Sequence, residues 1–261
     1  MSASQPGSDR ALQDTIITAL ADARFRASPG WIDQHLVDGD RVERFSRFLA
    51  RHFYYERVAH FFKYSRALAR VSGRRPEDVV RGEGFEEILP GVVLGSRETA
   101  SQVGKLVVED QLRSDHADIP YFEDLLRYQE AMMVVESGPR DWNGAVEPTA
   151  PLDQVLAQLA EGTTLLELDH DLPAVLPSLL APWKEPPTAP RQPTALVVAR
   201  SPQARVSVVK GSAALVGVLK EVDRPRSTRE LAARLGLEPY ALGALLQDLA
   251  GIGAVRFSIG S

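Results

Sequence analysis

The chain has 261 residues, 44% of them hydrophobic and 25% charged, which is an ordinary globular composition at a length that favours two domains. The absence of cysteine excludes disulfides, thiolate metal sites, iron–sulfur clusters and a cysteine nucleophile. No segment approaches the roughly 18 uninterrupted apolar residues that span a bilayer, and the first residues do not resemble a signal peptide. We therefore expect a cytoplasmic protein that makes no membrane contact.

The net charge of -5 conceals an uneven distribution of charge along the chain. From Arg41 to Arg75 there are ten basic residues against two acidic ones, which gives a local charge of +8. The stretch from Pro76 to Asp171 is acidic. Such a split indicates either pairing between the two stretches or recognition of a charged partner.

Residues 1–150 are predicted to form an α-helical bundle of about five helices, because their apolar residues recur at helical spacing. Proline and capping residues mark several helix starts. The expected helices are Ala11–Arg24, Asp38–Ser72, a short one from Pro76, one after Ser96, and one from Pro120 to Val135.

Residues 151–193 are predicted to connect this bundle to a second domain. Within them we expect a short amphipathic helix over Leu152–Leu159, a strand over Thr163–Glu167, and a helical or extended apolar segment over Leu172–Leu180. Five prolines follow in the twelve residues from Pro182 to Pro193. That density excludes a regular helix or a central strand, so it predicts a domain boundary or a surface strap.

Residues 194–261 are predicted to form a winged-helix-like domain with a small sheet, which makes the whole chain α+β. The order ββαααβ follows from alternating β-branched runs, a capping box at Ser227 and Glu230, and a glycine turn at Gly236. The two helices around Gly236 form a helix-turn-helix connection. The elements are Ala195–Ala199, Val206–Val209, Ser212–Val222, Ser227–Gly236, Pro239–Ala250 and Ala254–Ile259.

Binding of nucleic acid is the first function that such a domain suggests, but its charges disfavour it. The helix that would enter the major groove, Glu238–Leu249, has no Lys or Arg and carries Glu238 and Asp248. DNA-binding proteins depend on several cationic contacts with phosphate. A winged-helix transcriptional regulator therefore stays as the alternative hypothesis.

The preferred hypothesis is that the sheet edge and the last helix bind an extended peptide by strand addition. An exposed strand offers unpaired main-chain donors and acceptors that a peptide strand satisfies. The simpler interpretation, that these are core and edge positions only, stays open. The candidate peptide-binding residues are Val197, Val198, Arg200, Arg205, Val206, Val208, Tyr240, Leu242 and Leu246.

An enzyme is not expected from the residues themselves. His52, Glu56 and His60 lie four residues apart, as metal ligands on one side of a helix do, but the matching Glu-x-x-His pairs on other helices are missing. No phosphate-binding loop or nucleophile elbow is present. An autonomous metal oxidase of the bundle type is the third hypothesis.

Several passages resemble the partner proteins encoded beside multinuclear non-haem iron-dependent oxidases (MNIO), which modify ribosomally made peptides. The tail from Ala195 is also similar to the small winged-helix recognition element that captures a precursor peptide as an added strand. The similar passages are Tyr55-Glu56-Arg57, FKYSRALARVSG, GFEEILPG, IPYFEDLLRYQEAMM, ALVVARSPQARVSVVKGSAALVGVL and LLQDLAGIGAV.

The resemblance implies a non-catalytic subunit that forms a heterodimer with the iron oxidase and presents the ribosomal precursor peptide to it. It implies no cofactor in this chain, because the iron belongs to the partner oxidase. The Asp124-x-x-Arg127 pair, with Tyr128, is the implied partner interface. The chain departs from the family pattern at Gln129, where Glu is usual, and in its long Pro-rich strap.

Overall fold

The computed structural model describes residues 6–33, 39–114, 116, 118–137, 155–201 and 203–259. Contacts divide the chain into two compact units, Met1–His116 and Ala117–Ser261. Helices are combined with two small antiparallel sheets, which confirms the α+β class. None of the described helices is both long and apolar enough to cross a bilayer.

The described part of the first unit is helical apart from an isolated bridge between Asp22 and Val93. The expected long helix from Asp38 is two helices, which meet at Phe62. The helices are α1 (Pro6–Ala21), α2 (Ala23–Arg26), α3 (Pro29–Ile32), α4 (Gly39–Phe61), α5 (Lys63–Ser72), α6 (Glu83–Ile88) and α7 (Arg97–Leu112), with 3₁₀ turns at Pro76–Arg81 and Leu89–Gly91.

Helix α4 supports the core of this unit. It contacts α1, α5, α7 and the first 3₁₀ turn, and its buried residues include Ala50, Tyr54 and Val58, which are spaced four residues apart. Ser96 caps α7, as predicted, because its hydroxyl accepts a hydrogen bond from the Thr99 amide. The apolar helix faces predicted from the sequence therefore pack together in a helical core.

The second unit holds all six described strands. They form two three-stranded sheets with the orders β2-β3-β4 and β5-β1-β6, and every pair is antiparallel. The elements are α8 (Phe122–Glu136), β1 (Val155–Leu159), β2 (Thr164–Leu168), α9 (Leu172–Leu179), β3 (Thr194–Arg200), β4 (Val206–Lys210), α10 (Ala213–Glu221), β5 (Arg226–Ser227), α11 (Thr228–Leu235), α12 (Pro239–Gly251) and β6 (Val255–Ile259).

The helix predicted over Leu152–Leu159 is wrong, because Val155–Leu159 is strand β1. This strand lies between β5 and β6 and buries Val155 and Ala157 completely. A run of five residues with four apolar members, such as Val155–Leu159, fits a helix or a strand equally well by periodicity. Pairing with β6, about a hundred residues later in the chain, decides between them.

The local signals after residue 194 predicted the helices and the longer strands correctly but missed the two-residue strand β5. The hairpin of β3 and β4 is present, Ser227 accepts a hydrogen bond from the Glu230 amide, and Gly236 ends α11 with φ 63°. The strands do not form one small sheet, however. The hairpin pairs with β2, whereas β6 pairs with β1.

The β2-β3-β4 sheet is covered on both faces. Val197 and Ala199 of β3 join a core cluster that includes Leu215 and Leu246 from α10 and α12. The alternate residues Leu196 and Val198 are also buried, and α8 contacts all three strands. Helix α8, which the sequence analysis grouped with the helical bundle, therefore covers the second face of this sheet.

Gly253 joins α12 to β6 at a point where the main chain passes close to the end of β3. Its φ is 78°, and a Cβ atom at this position would lie 2.2 Å from the carbonyl oxygen of Arg200. No L-residue fits there without displacing backbone. Glycine at this position therefore permits the close approach of the turn before β6 to the carboxyl end of β3.

Candidate functional site

Strand β4 forms an edge of its sheet, whereas β3 is the central strand. β3 pairs with β2 on one side and with β4 on the other. No described strand pairs with the second side of β4. Among the described strands, that side is one of the sheet edges at which a further strand fits, together with the outer sides of β2, β5 and β6.

Hydrogen bonds at both ends of the hairpin determine which β4 residues point outward. The Gly211 amide donates to the Ala195 carbonyl at 2.8 Å, and the Ser201 amide donates to the Arg205 carbonyl at 2.8 Å. In an antiparallel ladder these bonds mean that only every second residue of β4 directs its main-chain groups toward β3. The residues whose main-chain groups point away from β3 are Val206, Val208 and Lys210.

These outward N–H and C=O groups form no hydrogen bond with any described residue. Each of the three residues offers one donor and one acceptor, and successive outward residues lie roughly 7 Å apart along the strand. That spacing is the repeat of an extended peptide. The outer side of Val206–Lys210 is hereafter called the β4 edge.

The side chains of the β4 edge are unusually apolar for an exposed strand. Val208 is 36% exposed, and Val206 is half-buried. Natural sheets protect exposed edges with proline, a bulge or a charge in the middle of the strand. The only charge here is Lys210 at the carboxyl end.

Lys210 is tied to the start of α9. Its Nζ lies 3.0 Å from Oδ2 of Asp171, which is the residue before that helix. The other carboxylate oxygen of Asp171, Oδ1, is buried and has no hydrogen-bond partner in the described part of the chain. The carboxyl end of β4 is thereby fixed, and its middle stays accessible.

Four of the predicted peptide-binding residues have their side chains in the core. They are completely buried, and the two in β3 belong to a strand whose main chain is paired on both sides. Neither their side chains nor the β3 main chain is accessible to a peptide in this conformation. The four are Val197, Val198, Leu242 and Leu246.

The remaining predicted residues lie at or near the surface. Arg205 is exposed and immediately precedes β4, beside Val206 and Val208. The half-buried Arg200 donates a hydrogen bond to the Glu136 carbonyl at the end of α8. Tyr240 is 91% exposed at the second residue of α12. The structure thus brings together Arg205 and the two β4 valines as the accessible part of the predicted surface.

Asp124, predicted at a partner interface, is buried inside the second unit. Its Oδ2 accepts hydrogen bonds from the Asp169 amide (2.9 Å), the His170 amide (3.0 Å) and His170 Nδ1 (2.9 Å). Arg127 is more distant, with Nη1 3.8 Å from Oδ1, and Tyr128 is buried. The carboxylate therefore ties α8 to the turn between β2 and α9.

His170 is a contact of Asp124 that the sequence did not reveal. It lies 46 residues after Asp124, so no local spacing connects the two. The available signal was the polar run Asp169-His170-Asp171 between an apolar strand and a Leu-Pro helix start. Such a run at a strand end requires partners for its amides and side chains.

Tyr121 contacts both the Pro-rich segment and the turn between β2 and α9. Its hydroxyl donates to the Pro187 carbonyl at 2.6 Å, and its ring lies edge-on to His170 with 6.4 Å between centroids. Burial raises the pKa of Tyr121 to about 12. The Asp171 amide also donates to the Pro190 carbonyl, so the predicted strap is attached at two points.

The last helix offers no cation to a phosphate backbone. Helix α12 contains no Lys or Arg, and the charged residues at its start and near its end are the exposed Glu238 and Asp248. Arg234 of α11 is engaged with Glu221, at 2.6 Å. The structure therefore shows no basic residue in the helix that would enter the major groove of DNA.

The histidines of the first unit have aromatic neighbours. His52 stacks on Phe48, and His60 lies edge-on to Phe61. Across the described residues, no group of three or more His, Asp and Glu side chains has an arrangement that would hold a metal ion. A cleft of about 620 Å³ in this unit is lined by charges of both signs, including the Arg74–Asp110 ion pair.

Part of the charge asymmetry is neutralised inside the first unit. Arg66 of the basic stretch contacts the buried Glu77 at 3.0 Å, and Arg74 contacts Asp110 at 2.8 Å. Arg51 also pairs with Glu86. Internal pairing, one of the two predicted explanations, therefore applies to these three arginines.

Comparison with known protein-family models gives no match for this chain, and comparison with curated proteins gives no significant match.

Proposed function

We propose that this chain is a non-catalytic subunit that binds a ribosomally made precursor peptide as an added strand on the β4 edge and presents it to an MNIO-type iron oxidase. The observation that carries the proposal is the row of outward main-chain groups at Val206, Val208 and Lys210. Strand addition uses such groups for affinity and adjacent side chains for specificity.

The free energies of hydrogen bonding and of backbone ordering indicate what else the peptide must contribute to binding. Each main-chain hydrogen bond contributes about 1 kcal/mol net. Fixing the backbone of each peptide residue costs about 1–2 kcal/mol. The two terms nearly cancel, so the peptide must also pack apolar side chains on Val206 and Val208, which are the accessible apolar residues of the edge.

The same proposal includes a winged-helix domain, but its strands are not all the ones that the sequence analysis assigned to it. Helices α10, α11 and α12, with the glycine turn between the last two, supply the helical part. Strands β5 and β6 flank β1, so β1 takes the central position of the wing sheet. In this arrangement the β3-β4 hairpin lies outside the winged-helix sheet, and its β4 edge is available to the peptide.

Iron is assigned to the oxidase and not to this chain, on the basis of the resemblance. A regulator that binds DNA is the alternative, and the absence of Lys and Arg from α12 and the net charge of -5 weigh against it. Retention of palindromic DNA by the purified chain would favour that alternative.

The test is a titration of the full chain with a fluorescein-labelled synthetic leader peptide of an MNIO precursor, followed by fluorescence anisotropy. Val208→Pro removes an outward N–H and leaves the bonds between β3 and β4 in place. We expect peptide affinity to fall by about a hundredfold or more, which corresponds to about 2.8 kcal/mol.

Val208→Thr is the matched control, because it keeps the N–H and the β-branched shape. It should retain affinity within about fivefold. Thermal unfolding of both variants checks that the sheet is intact. Equal peptide affinity for wild type and a folded Val208→Pro variant would refute strand addition at this edge.

A further inference from the structure

The β3-β4 hairpin lies in a stretch of the chain that has no acidic residue. From residue 186 to residue 220 the sequence contains neither Asp nor Glu, although the chain has 35 acidic residues among 261. We call this stretch the acid-free segment, and its basic residues are Arg191, Arg200, Arg205, Lys210 and Lys220. In a chain whose net charge is -5, a cationic segment of this length indicates recognition of negative charge.

Acidic residues from other elements neutralise the two lysines of the acid-free segment. Lys210 Nζ lies 3.0 Å from Asp171 Oδ2, and Lys220 Nζ lies 2.7 Å from Glu167 Oε1. Lys210 is the last residue of β4. The carboxyl end of the β4 edge therefore presents an ion pair to an incoming strand and not an unpaired cation.

Arg205 keeps its charge available at the other end of the β4 edge. It is exposed, immediately precedes β4, and forms no ion pair with a described residue. Its main-chain amide donates to Ser201 Oγ at 3.3 Å, which positions the backbone while the guanidinium stays accessible. The nearest acidic residues along the chain are Glu185 and Glu221. The amino end of the β4 edge therefore carries an unpaired positive charge.

We infer that the strand accepted by the β4 edge is an acidic peptide, with a carboxylate beside Arg205 and two apolar side chains beside Val206 and Val208. This inference rests on the proposed strand addition and adds to it the class of peptide. An opposite charge next to Arg205 favours association. Repulsion from the same arginine disfavours a basic peptide, so a single residue contributes to both sides of the selection.

The strand register gives the order of the peptide's side chains. Antiparallel pairing is slightly more stable per residue than parallel pairing, and every described strand pair is antiparallel. Directly opposite residues in such a pair place their side chains on the same face. A peptide that runs antiparallel to β4 reaches Val208 first, Val206 next and Arg205 last. Its sequence is therefore apolar-x-apolar followed directly by Asp or Glu.

A peptide fits this edge better than a nucleic acid. The outward main-chain groups of Val206 and Val208 include both donors and acceptors. A peptide backbone pairs with both kinds of group, whereas a phosphate backbone offers only acceptors. DNA binding also requires several cations, and the β4 edge has one unpaired arginine.

The first experiment is a selection of random peptides of about ten residues, displayed on phage, against the immobilised full chain. We expect the enriched peptides to share the apolar-x-apolar-acidic order. An enriched peptide is then synthesised with a fluorescein label, together with a copy in which Lys replaces the acidic residue. The Lys copy should bind about tenfold more weakly at low salt, measured by fluorescence anisotropy.

Reversing the charge at residue 205 tests whether this arginine sets the preference. Arg205→Glu should weaken the acidic peptide by about tenfold and strengthen the Lys copy by about tenfold, with smaller effects at high salt. Arg229→Glu is the matched control, because it makes the same change of charge at an exposed arginine of α11. It should alter either affinity by no more than about twofold. Equal affinities for wild type and Arg205→Glu overturn the inference.

The Val208→Pro variant separates this inference from strand addition itself. Enriched peptides that lose affinity for Val208→Pro but show no preference for an acidic residue overturn this inference alone. Equal affinity of wild type and Val208→Pro for the acidic peptide, or the absence of any enriched peptide, overturns both proposals. A duplex oligonucleotide is the remaining probe: binding that Arg205→Glu abolishes and Val208→Pro leaves intact would mean that nucleic acid occupies this surface, and would overturn the inference.

Discussion

The two outer strands of one sheet, β2 and β4, present different edges to their surroundings. In an antiparallel pair, every second residue directs its main-chain groups away from the neighbouring strand. These outward residues are Leu165 and Glu167 in β2, and they include Val206 and Val208 in β4. On β2 the outward residue Glu167 carries an exposed charge, paired with Lys220 at 2.7 Å. On β4 the outward Val206 and Val208 are uncharged, and the outward Lys210 is the last residue of the strand. A charge in mid-strand protects an edge against added strands, so the contrast predicts that only β4 accepts a peptide.

The ends of the two strands differ as well. The residues just beyond β2 are held by the Asp124 carboxylate, and Thr163 before it donates to the Ala254 carbonyl at 3.1 Å. β4 is held through the hairpin turn and through Lys210. The protected edge therefore belongs to a strand with several structural ties, and the open edge belongs to a strand with few.

The largest effect on stability is expected when the β2 anchor is removed. Asp124→Ala leaves the amides of Asp169 and His170 without their acceptor in a buried site. We expect the free energy of unfolding of the second unit to fall by about 3 kcal/mol, measured by chemical denaturation.

Arg127→Ala is the control, because its guanidinium is 3.8 Å from the same carboxylate and 43% exposed. It should cost less than about 0.5 kcal/mol. Similar losses for the two variants would mean that the Asp124–Arg127 pair, and not the bonds to the β2 turn, is what stabilises the fold.

A smaller effect is expected at the strap. Tyr121→Phe removes the hydrogen bond to Pro187 and should cost about 1 kcal/mol near neutral pH. Because burial raises the pKa of Tyr121 from an ordinary 10.0 to about 12, the unfolded state loses this proton first as pH rises. Stability of the wild type should therefore fall between pH 10 and 12, and less steeply in Tyr121→Phe. A parallel decline in both proteins would contradict this assignment.

The smallest change in stability, under about 0.5 kcal/mol, is expected from Glu167→Val. This substitution removes the charge that protects β2 and makes its edge resemble that of β4. We expect new self-association of the folded protein in sedimentation experiments. A strictly unchanged sedimentation profile would show that the charge is not what distinguishes the two edges.

Local signals made most of the second unit predictable. Ser227, Glu230 and Gly236 fix helix ends through contacts within a few residues, and alternation identified the β3-β4 hairpin. The position of β3 in its sheet was not predictable from these signals. It depends on pairing with β2, some thirty residues upstream, so Val197 and Val198 were assigned to a surface although both are buried.

Long-range contacts also decided the remaining differences. Val155–Leu159 becomes a strand only because β6 pairs with it. Asp124 and Arg127 had the i, i+3 spacing of an ion pair, yet the closer partner of the carboxylate is His170. Periodicity finds which residues face inward, but the element that they face is set by contacts far along the chain.

The most direct test compares proline at equivalent outward positions of the two edges, Val208→Pro in β4 and Glu167→Pro in β2. Each removes an outward N–H and spares the bonds to β3. In a titration with the labelled leader peptide, we predict that Val208→Pro loses about a hundredfold in affinity and that Glu167→Pro stays within about twofold of wild type. Equal affinities for the two variants, or loss only in Glu167→Pro, would contradict peptide addition at the β4 edge.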